Sequence, residues 1–147
     1  MPEIRVVSFN LAGEEYAIDI MKVDSVSENV PTTKLPGMPF YMEGIINLRG
    51  EVIPIINLRK KFNIEDYDDS WKEKAKIIII YRDGRKVGLL VDEVKEVASL
   101  DQEQIDDKEN VGSNIGEDFI SGIARKGDKM IILLDVDKIV GEEVMSI

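Results

Sequence analysis

The sequence predicts a mainly β protein made of two related halves, and three observations carry that expectation. Short β-branched and aliphatic runs recur at intervals of about 8–12 residues between glycine-bearing turns, the spacing of small antiparallel units. Shifting the chain by 71 residues lays Gly13 on Gly84, Ile18 on Leu89, Ile20 on Val91, Val23 on Val94 and Val26 on Val97. Shifting it by 78 lays Gly44-Ile45 on Gly122-Ile123, Ile55-Ile56 on Leu133-Leu134 and Asn57-Leu58 on Asp135-Val136. The approximate internal repeats are therefore 4–62 and 77–140, joined by the acidic, polar stretch 63–74. The second copy carries about seven extra residues, expected within 101–118.

Each half reads the same way. A strand (4–11; 77–82) meets a glycine turn (Ala12-Gly13; Asp83-Gly84) and a second strand (15–20; 86–91). An apolar pair follows, Val23 and Val26 in one half, Val94 and Val97 in the other. A loop then leads to a Gly-Ile hairpin and a short helical tail, 58–62 or 135–140, the latter with Asp135 as N-cap. Five short strands in about 60 residues favour a small closed barrel, because closure removes exposed edges. One open antiparallel sheet is the alternative. Barrels this small bury little surface alone, so the two halves are expected to share an interface and fold as one domain over 1–147.

Composition excludes whole classes of function. With 19 Lys and Arg against 29 Asp and Glu, the net charge is −10, which disfavours nucleic acid and anionic membranes as partners. There is no cysteine, hence no disulfide, thiolate metal site or cysteine nucleophile. There is no histidine, which removes the commonest general base and metal ligand. No aliphatic run approaches the roughly 20 residues that span a bilayer, and the N-terminus lacks signal-peptide order. A soluble, cytoplasmic protein without cofactors or membrane insertion is the expectation.

No catalytic constellation emerges. Asp66, Asp68 and Asp69 lack the glycine and closing glutamate of a calcium loop and read as a solvated linker face. Residues 122–127 have phosphate-loop glycine spacing, but Asp128 stands where a lysine is needed. Asp92-Glu93 and Asp135/Asp137 have no nucleophile beside them and read as structural charge.

The richest stretch is 44–58, Gly-Ile-Ile-Asn-Leu-Arg-Gly-Glu-Val-Ile-Pro-Ile-Ile-Asn-Leu. It reads as a β-hairpin with Gly50 supplying a positive φ and Arg49 at an exposed tip, a place for recognition. The stretch resembles the signature of the CheW family of bacterial chemotaxis coupling proteins. The resemblance continues in 15–20, Lys22-Val23, 87–92 and 128–133, and covers essentially 4–140. It implies two SH3-like five-stranded β-barrel subdomains packed together, with short helices including one near the C-terminus and strand exchange between subdomains allowed.

By the same resemblance the protein is a non-enzymatic adaptor. Val7, Ile20, Val23 and Val26 match the apolar patch that binds the regulatory domain of the chemotaxis histidine kinase. Asn47, Arg49 and Gly50 match the element that meets the cytoplasmic tip of methyl-accepting chemoreceptors. Recruitment to membrane-associated receptor arrays, with self-association in array rings, is implied as well. One position departs: the family reads Val-x-Glu-Ile where this chain has Val23-Asp24-Ser25-Val26. The missing glutamate is a partner for the hairpin arginine; Asp24 is expected on the other strand face, which leaves Glu28 as the candidate. The first and last residues lie close to the repeats, which favours a standalone chain over a piece of a larger signalling enzyme. A ligand-binding double barrel would instead present a deep polar pocket.

Overall fold

The computed structural model describes residues 2–66, 68–107 and 117–146. Eleven strands appear among them: β1 (Glu3–Leu11), β2 (Glu14–Asp19), β3 (Val23–Glu28), β4 (Met42–Leu48), β5 (Glu51–Asn57), β6 (Lys76–Arg82), β7 (Arg85–Val91), β8 (Glu93–Asp101), β9 (Ile105–Asp107), β10 (Ile120–Lys126) and β11 (Lys129–Leu134). Three one-turn helices, α1 (Leu58–Lys61), α2 (Val136–Ile139) and α3 (Glu142–Met145), complete the fold.

The strands form two sheets, in the orders β8-β1-β2-β11-β10-β9 and β3-β6-β7-β5-β4. These are the two SH3-like barrels, and neither coincides with one repeat. The β1-β2 hairpin of the first copy joins the second copy's strands through the parallel pair β2/β11. The β6-β7 hairpin of the second copy joins β3, β4 and β5 through the parallel pair β5/β7. Each sheet thus combines strands from both parts of the chain.

The registers show how closely the arrangement is duplicated. Ile55 pairs with Gly88, and the shifted positions Leu133 and Ala17 pair likewise. Val23 pairs with Ile80 and Val26 with Ile78, while Val94 pairs with Phe9 and Val97 with Val7. Both ladders slip at the same place, one residue after Val23 or Val94. Six strands in one sheet exceed the five expected, because β9 pairs with β10 where the other half has only the Thr33–Ile45 bridge. Most of the stretch assigned to the seven extra residues, 108–116, lies outside the described residues.

Alternation along each strand divides the core into three layers. Ile77 and Ile79 point into the second barrel with Ile46, Ile53, Ile55 and Leu90. Ile78 and Ile80 point the other way, into a layer shared by both barrels with Val7, Phe9, Ile18, Ile56 and Leu89. Val6 faces the first barrel's interior with Leu100, Ile131 and Leu133. Adjacent apolar residues in one strand are thus both buried, on opposite faces. The same alternation corrects one expectation. Val7, assigned to an outer patch, is only 5% exposed and belongs to the shared layer.

Polar groups tie the barrels together at their junctions. Asn57 and Asp135, equivalent under the shift of 78, each cap a helix by accepting the backbone N–H of Lys60 or Lys138. Asp92 stands where the chain passes from β7 to β8 and therefore from one barrel to the other. Its carboxylate accepts Nε and Nη2 of Arg59 at 2.8 and 2.6 Å and the backbone N–H of Ala12 at 2.9 Å. Arg59 also lies over the Trp71 ring at 4.8 Å and donates to Asp66 at 2.7 Å. Asp66 is exposed, in keeping with the solvated linker face read from sequence, and also serves as a counter-ion to Arg59.

Three outcomes follow from this packing. A β-carbon on Gly88 would collide with the methyl groups of Ile55 and Ile77, so Gly88→Ala is expected to cost about 1–3 kcal/mol in denaturant melts. Asp92→Ala strips three N–H donors of their acceptor in a poorly solvated site, and a loss of about 1–3 kcal/mol by the same assay is expected. Burial, reinforced by Glu14, raises the Tyr16 phenol from 10.0 to about 12. Above pH 10 the unfolded chain therefore ionises this group first, and stability falls as pH rises towards 12. Alkaline melts of Tyr16→Phe should show a shallower decline.

Candidate partner-docking surface

The β4-β5 hairpin closes between Leu48 and Glu51, with Arg49 at φ 53° and Gly50 at φ 85°. Two consecutive positive φ values define the type I′ turn, whose twist matches that of the flanking strands. Sequence reasoning assigned positive φ to Gly50 alone. Arginine in the left-handed region carries a cost of roughly 1 kcal/mol, held in place by the ladder on either side. Asn47 braces the turn, its Oδ1 accepting the Gly50 N–H at 3.0 Å. Asn47, Arg49 and Gly50 are all exposed.

Among the described residues, no carboxylate lies within ion-pair distance of the Arg49 guanidinium, in a chain with 29 acidic residues. Glu28, the expected partner, is engaged elsewhere: Lys76 Nζ sits 2.6 Å from its Oε2. The Arg49 charge is the weakest of the several influences that hold the Asp24 carboxyl below its ordinary pKa. β3 bulges against β6 between Val23 and Ser25, so Asp24 is the extra residue and is re-aimed, contrary to the strand-alternation expectation.

Asp24 is also the centre of a surface network. It accepts hydrogen bonds from the Tyr81 hydroxyl and, at 2.9 Å, from Ser25 Oγ. Lys86 Nζ approaches it to 3.8 Å and donates to Glu51 at 3.1 Å. These neighbours, the Tyr81 hydrogen bond above all, hold the Asp24 carboxyl below its ordinary pKa, while the same bond raises that of Tyr81. Four strands thus contribute to one charged face beside the hairpin tip.

The apolar residues singled out in sequence divide into two groups. Ile20 and Val23 are half-buried against the shared layer, and Val26 is 47% exposed beside Ile78 of that layer. They line the edge at which the layer opens to solvent, and Val7 does not join them. Met21, between Ile20 and Val23, is 82% exposed and was not singled out. Val52 and Met130 were missed too. They are equivalent under the shift of 78 and stand 59% and 58% exposed, so the repeat itself carried the signal. Aliphatic side chains fill the barrel interiors, and a partly polar cleft lined by Asn29, Thr32, Glu43 and Lys72 together with Ile55 and Leu90 opens beside the second barrel. Among the described residues no cluster of metal-ligating side chains occurs, and no helix is long and apolar enough to cross a membrane.

Comparison with known proteins agrees with this architecture. The family model for the CheW-like domain matches residues 5–144. The chemotaxis protein CheW of Thermotoga maritima is 35% identical over 143 residues, covering 97% of this chain and 91% of that protein. The chemotaxis protein CheW of Klebsiella aerogenes is 34% identical over 139 residues, covering 95% and 82% respectively. The crystal structure of the scaffolding protein TtCheW from Thermoanaerobacter tengcongensis superposes with a TM-score of 0.85 at 42% identity, over 95% of this chain and 92% of that one. With the double barrel and a match over nearly its whole length, the chain belongs to the CheW-like domain family.

Proposed function

We propose that this protein is a non-enzymatic chemotaxis adaptor that couples methyl-accepting chemoreceptors to the regulatory domain of the chemotaxis histidine kinase. The observation that carries the reading is Arg49: exposed, left-handed, without an ion-pair partner among the described residues, and mounted on a stiff hairpin. A strained, unpaired cation at a rigid tip serves recognition better than stability. Family membership and the scaffolding relative support the same reading. The absence of histidine and cysteine agrees with a protein that positions partners and leaves the chemistry to them.

In this reading Asn47, Arg49 and Gly50 meet the receptor tip, with the guanidinium fork taking a carboxylate or carbonyl of the receptor helix. Ile20, Val23 and Val26 form the kinase-facing edge, with Met21 added and Val7 removed. Receptor state then biases the kinase through two packed interfaces held in fixed register. The protein works in the cytoplasm, recruited to membrane-associated arrays, where many weak contacts gain from avidity and copies can associate in rings.

Two experiments separate the surfaces. Arg49→Ala is expected to shift stability by no more than about 0.5 kcal/mol while receptor binding falls and kinase-domain binding persists, as measured by titration calorimetry. Normal receptor binding with lost kinase binding would reverse the assignment of the two surfaces. Val26→Asp places an unpaired charge on the open edge, and kinase-domain binding is expected to weaken by at least about 30-fold with the thermal transition intact. Unchanged kinase binding would remove β3 from that interface.

A further inference from the structure

We infer that Met21 is a reversible oxidation site, and that a sulfoxide made there by a peroxide loosens the hold of the chemotaxis histidine kinase on the β3 edge. The inference rests on the reading of Ile20, Val23 and Val26 as the kinase-facing edge and adds a means of regulating it. The chain holds six methionines and no cysteine, so thioethers are the only sulfur it offers to a peroxide. Their surroundings differ. Met42 is buried, while Met38 and Met145 are half-buried against the shared layer. Met130 is exposed, but it stands on β11 of the other barrel. Met21, at 82%, is the most exposed large apolar side chain among the described residues.

A lone exposed methionine needs no purpose. This one continues an apolar row. It sits on a single 3-10 turn, Ile20–Lys22, and its neighbours Ile20 and Val23 pack against the shared layer. The turn is pinned on both sides of the residue. Asp19 Oδ1 accepts the Met21 N–H at 2.9 Å, and the Val23 N–H donates to the Ile20 carbonyl. The repeat indicates that the fold does not require a thioether here. Under the shift of 71, Met21 corresponds to Asp92, which turns toward Arg59. The counterpart of Arg59 under the shift of 78 is Asp137, and it takes Lys22 at 3.5 Å. That pairing leaves residue 21 to project into solvent between two rim residues.

A hydroperoxide delivers its terminal oxygen to Met21 Sδ. The S–O bond forms as the O–O bond breaks, and the sulfur gives up two electrons. The hydroxyl proton of the peroxide moves to the departing oxygen, which leaves as water or an alcohol. A polar acceptor then stands where an apolar, adaptable side chain stood. Docking must strip its water, and the adjacent cation, Lys22, is held by Asp137. Desolvating an acceptor without a donor opposes binding. Sulfoxide reductases return the thioether, which makes the change a switch rather than a lesion.

Brief treatment of the protein with hydrogen peroxide, quenched by catalase, tests this by peptide mass mapping and by calorimetric titration with the kinase. Met21 is expected to gain one oxygen before Met38, Met42 and Met145. Kinase affinity should then fall by about tenfold with the thermal transition in place, and methionine sulfoxide reductases with a thiol reductant should restore it. In Met21→Leu, whatever its starting affinity, peroxide should change that affinity by no measurable factor. Met130→Leu should lose as much on oxidation as the unsubstituted protein. Met21 lagging behind the half-buried methionines would overturn the inference before any partner is added. A peroxide-dependent loss that persists in Met21→Leu would overturn it too, because another methionine would then carry the effect. So would complete Met21 sulfoxide with unchanged affinity while Val26→Asp binds weakly. Unchanged affinity in both would instead sink the docking reading, and the inference with it.

Discussion

The two parallel strand pairs, β5 against β7 and β11 against β2, are the constraint on which the rest of the molecule depends. Parallel neighbours cannot be joined by a tight turn, so each pair must bring together distant parts of the chain. Here they bring together opposite repeats. Every barrel then contains a hairpin from the other half, and neither half can close its sheet alone. The loop-closure entropy of these long-range pairings is offset by a shared apolar layer that exists only when both pairings are complete. This is the physical reason that two units, each too small for a substantial core, act as one domain.

The shared layer also fixes where the proposed docking surfaces lie. Because Ile78 and Ile80 face it, the edge strand β3 beside them carries Val23 and Val26 to its rim, where the layer meets water. The hairpin with Arg49 extends from β5, whose other residues are anchored in both the second barrel and the shared layer. The tip therefore inherits rigidity from two cores. A recognition group on such a mount loses little conformational entropy on docking.

Symmetry governs the backbone and is abandoned at the surface. Paired registers, bulges and helix caps repeat between halves, yet the charges at equivalent tips differ. The β1-β2 hairpin presents Glu14 and Glu15 where β6-β7 presents Arg85 and Lys86. Arg49-Gly50 corresponds to Gly127-Asp128. At the junctions, the bidentate Arg59–Asp92 pair matches the positions of Asp137 and Met21, and the ion pair there is the exposed Lys22–Asp137 contact at 3.5 Å. Duplicated backbone geometry sets the fold, because pairing and burial depend on register and apolar volume. Surface charge is free of that requirement, so it can diverge between the two barrels.

Local chemistry made much of this legible in the sequence. Alternation, glycine turns and the two shifts marked the repeats, most of the strands, the capped helices and the hairpin with its exposed arginine. These are nearest-neighbour or duplicated features, and sequence records them directly. Which repeat a strand pairs with is different, since both hairpins are equally compatible with either sheet; only the shared layer chooses between them. For the same reason Val6 and Val7 look alike in sequence, while the assembled barrels bury them in separate layers and remove Val7 from any surface. The bulge that re-aims Asp24 depends on the register of β3 against a strand more than 50 residues away. Glu28 was the wrong partner for Arg49 because Lys76, brought alongside by the same ladder, reaches it first.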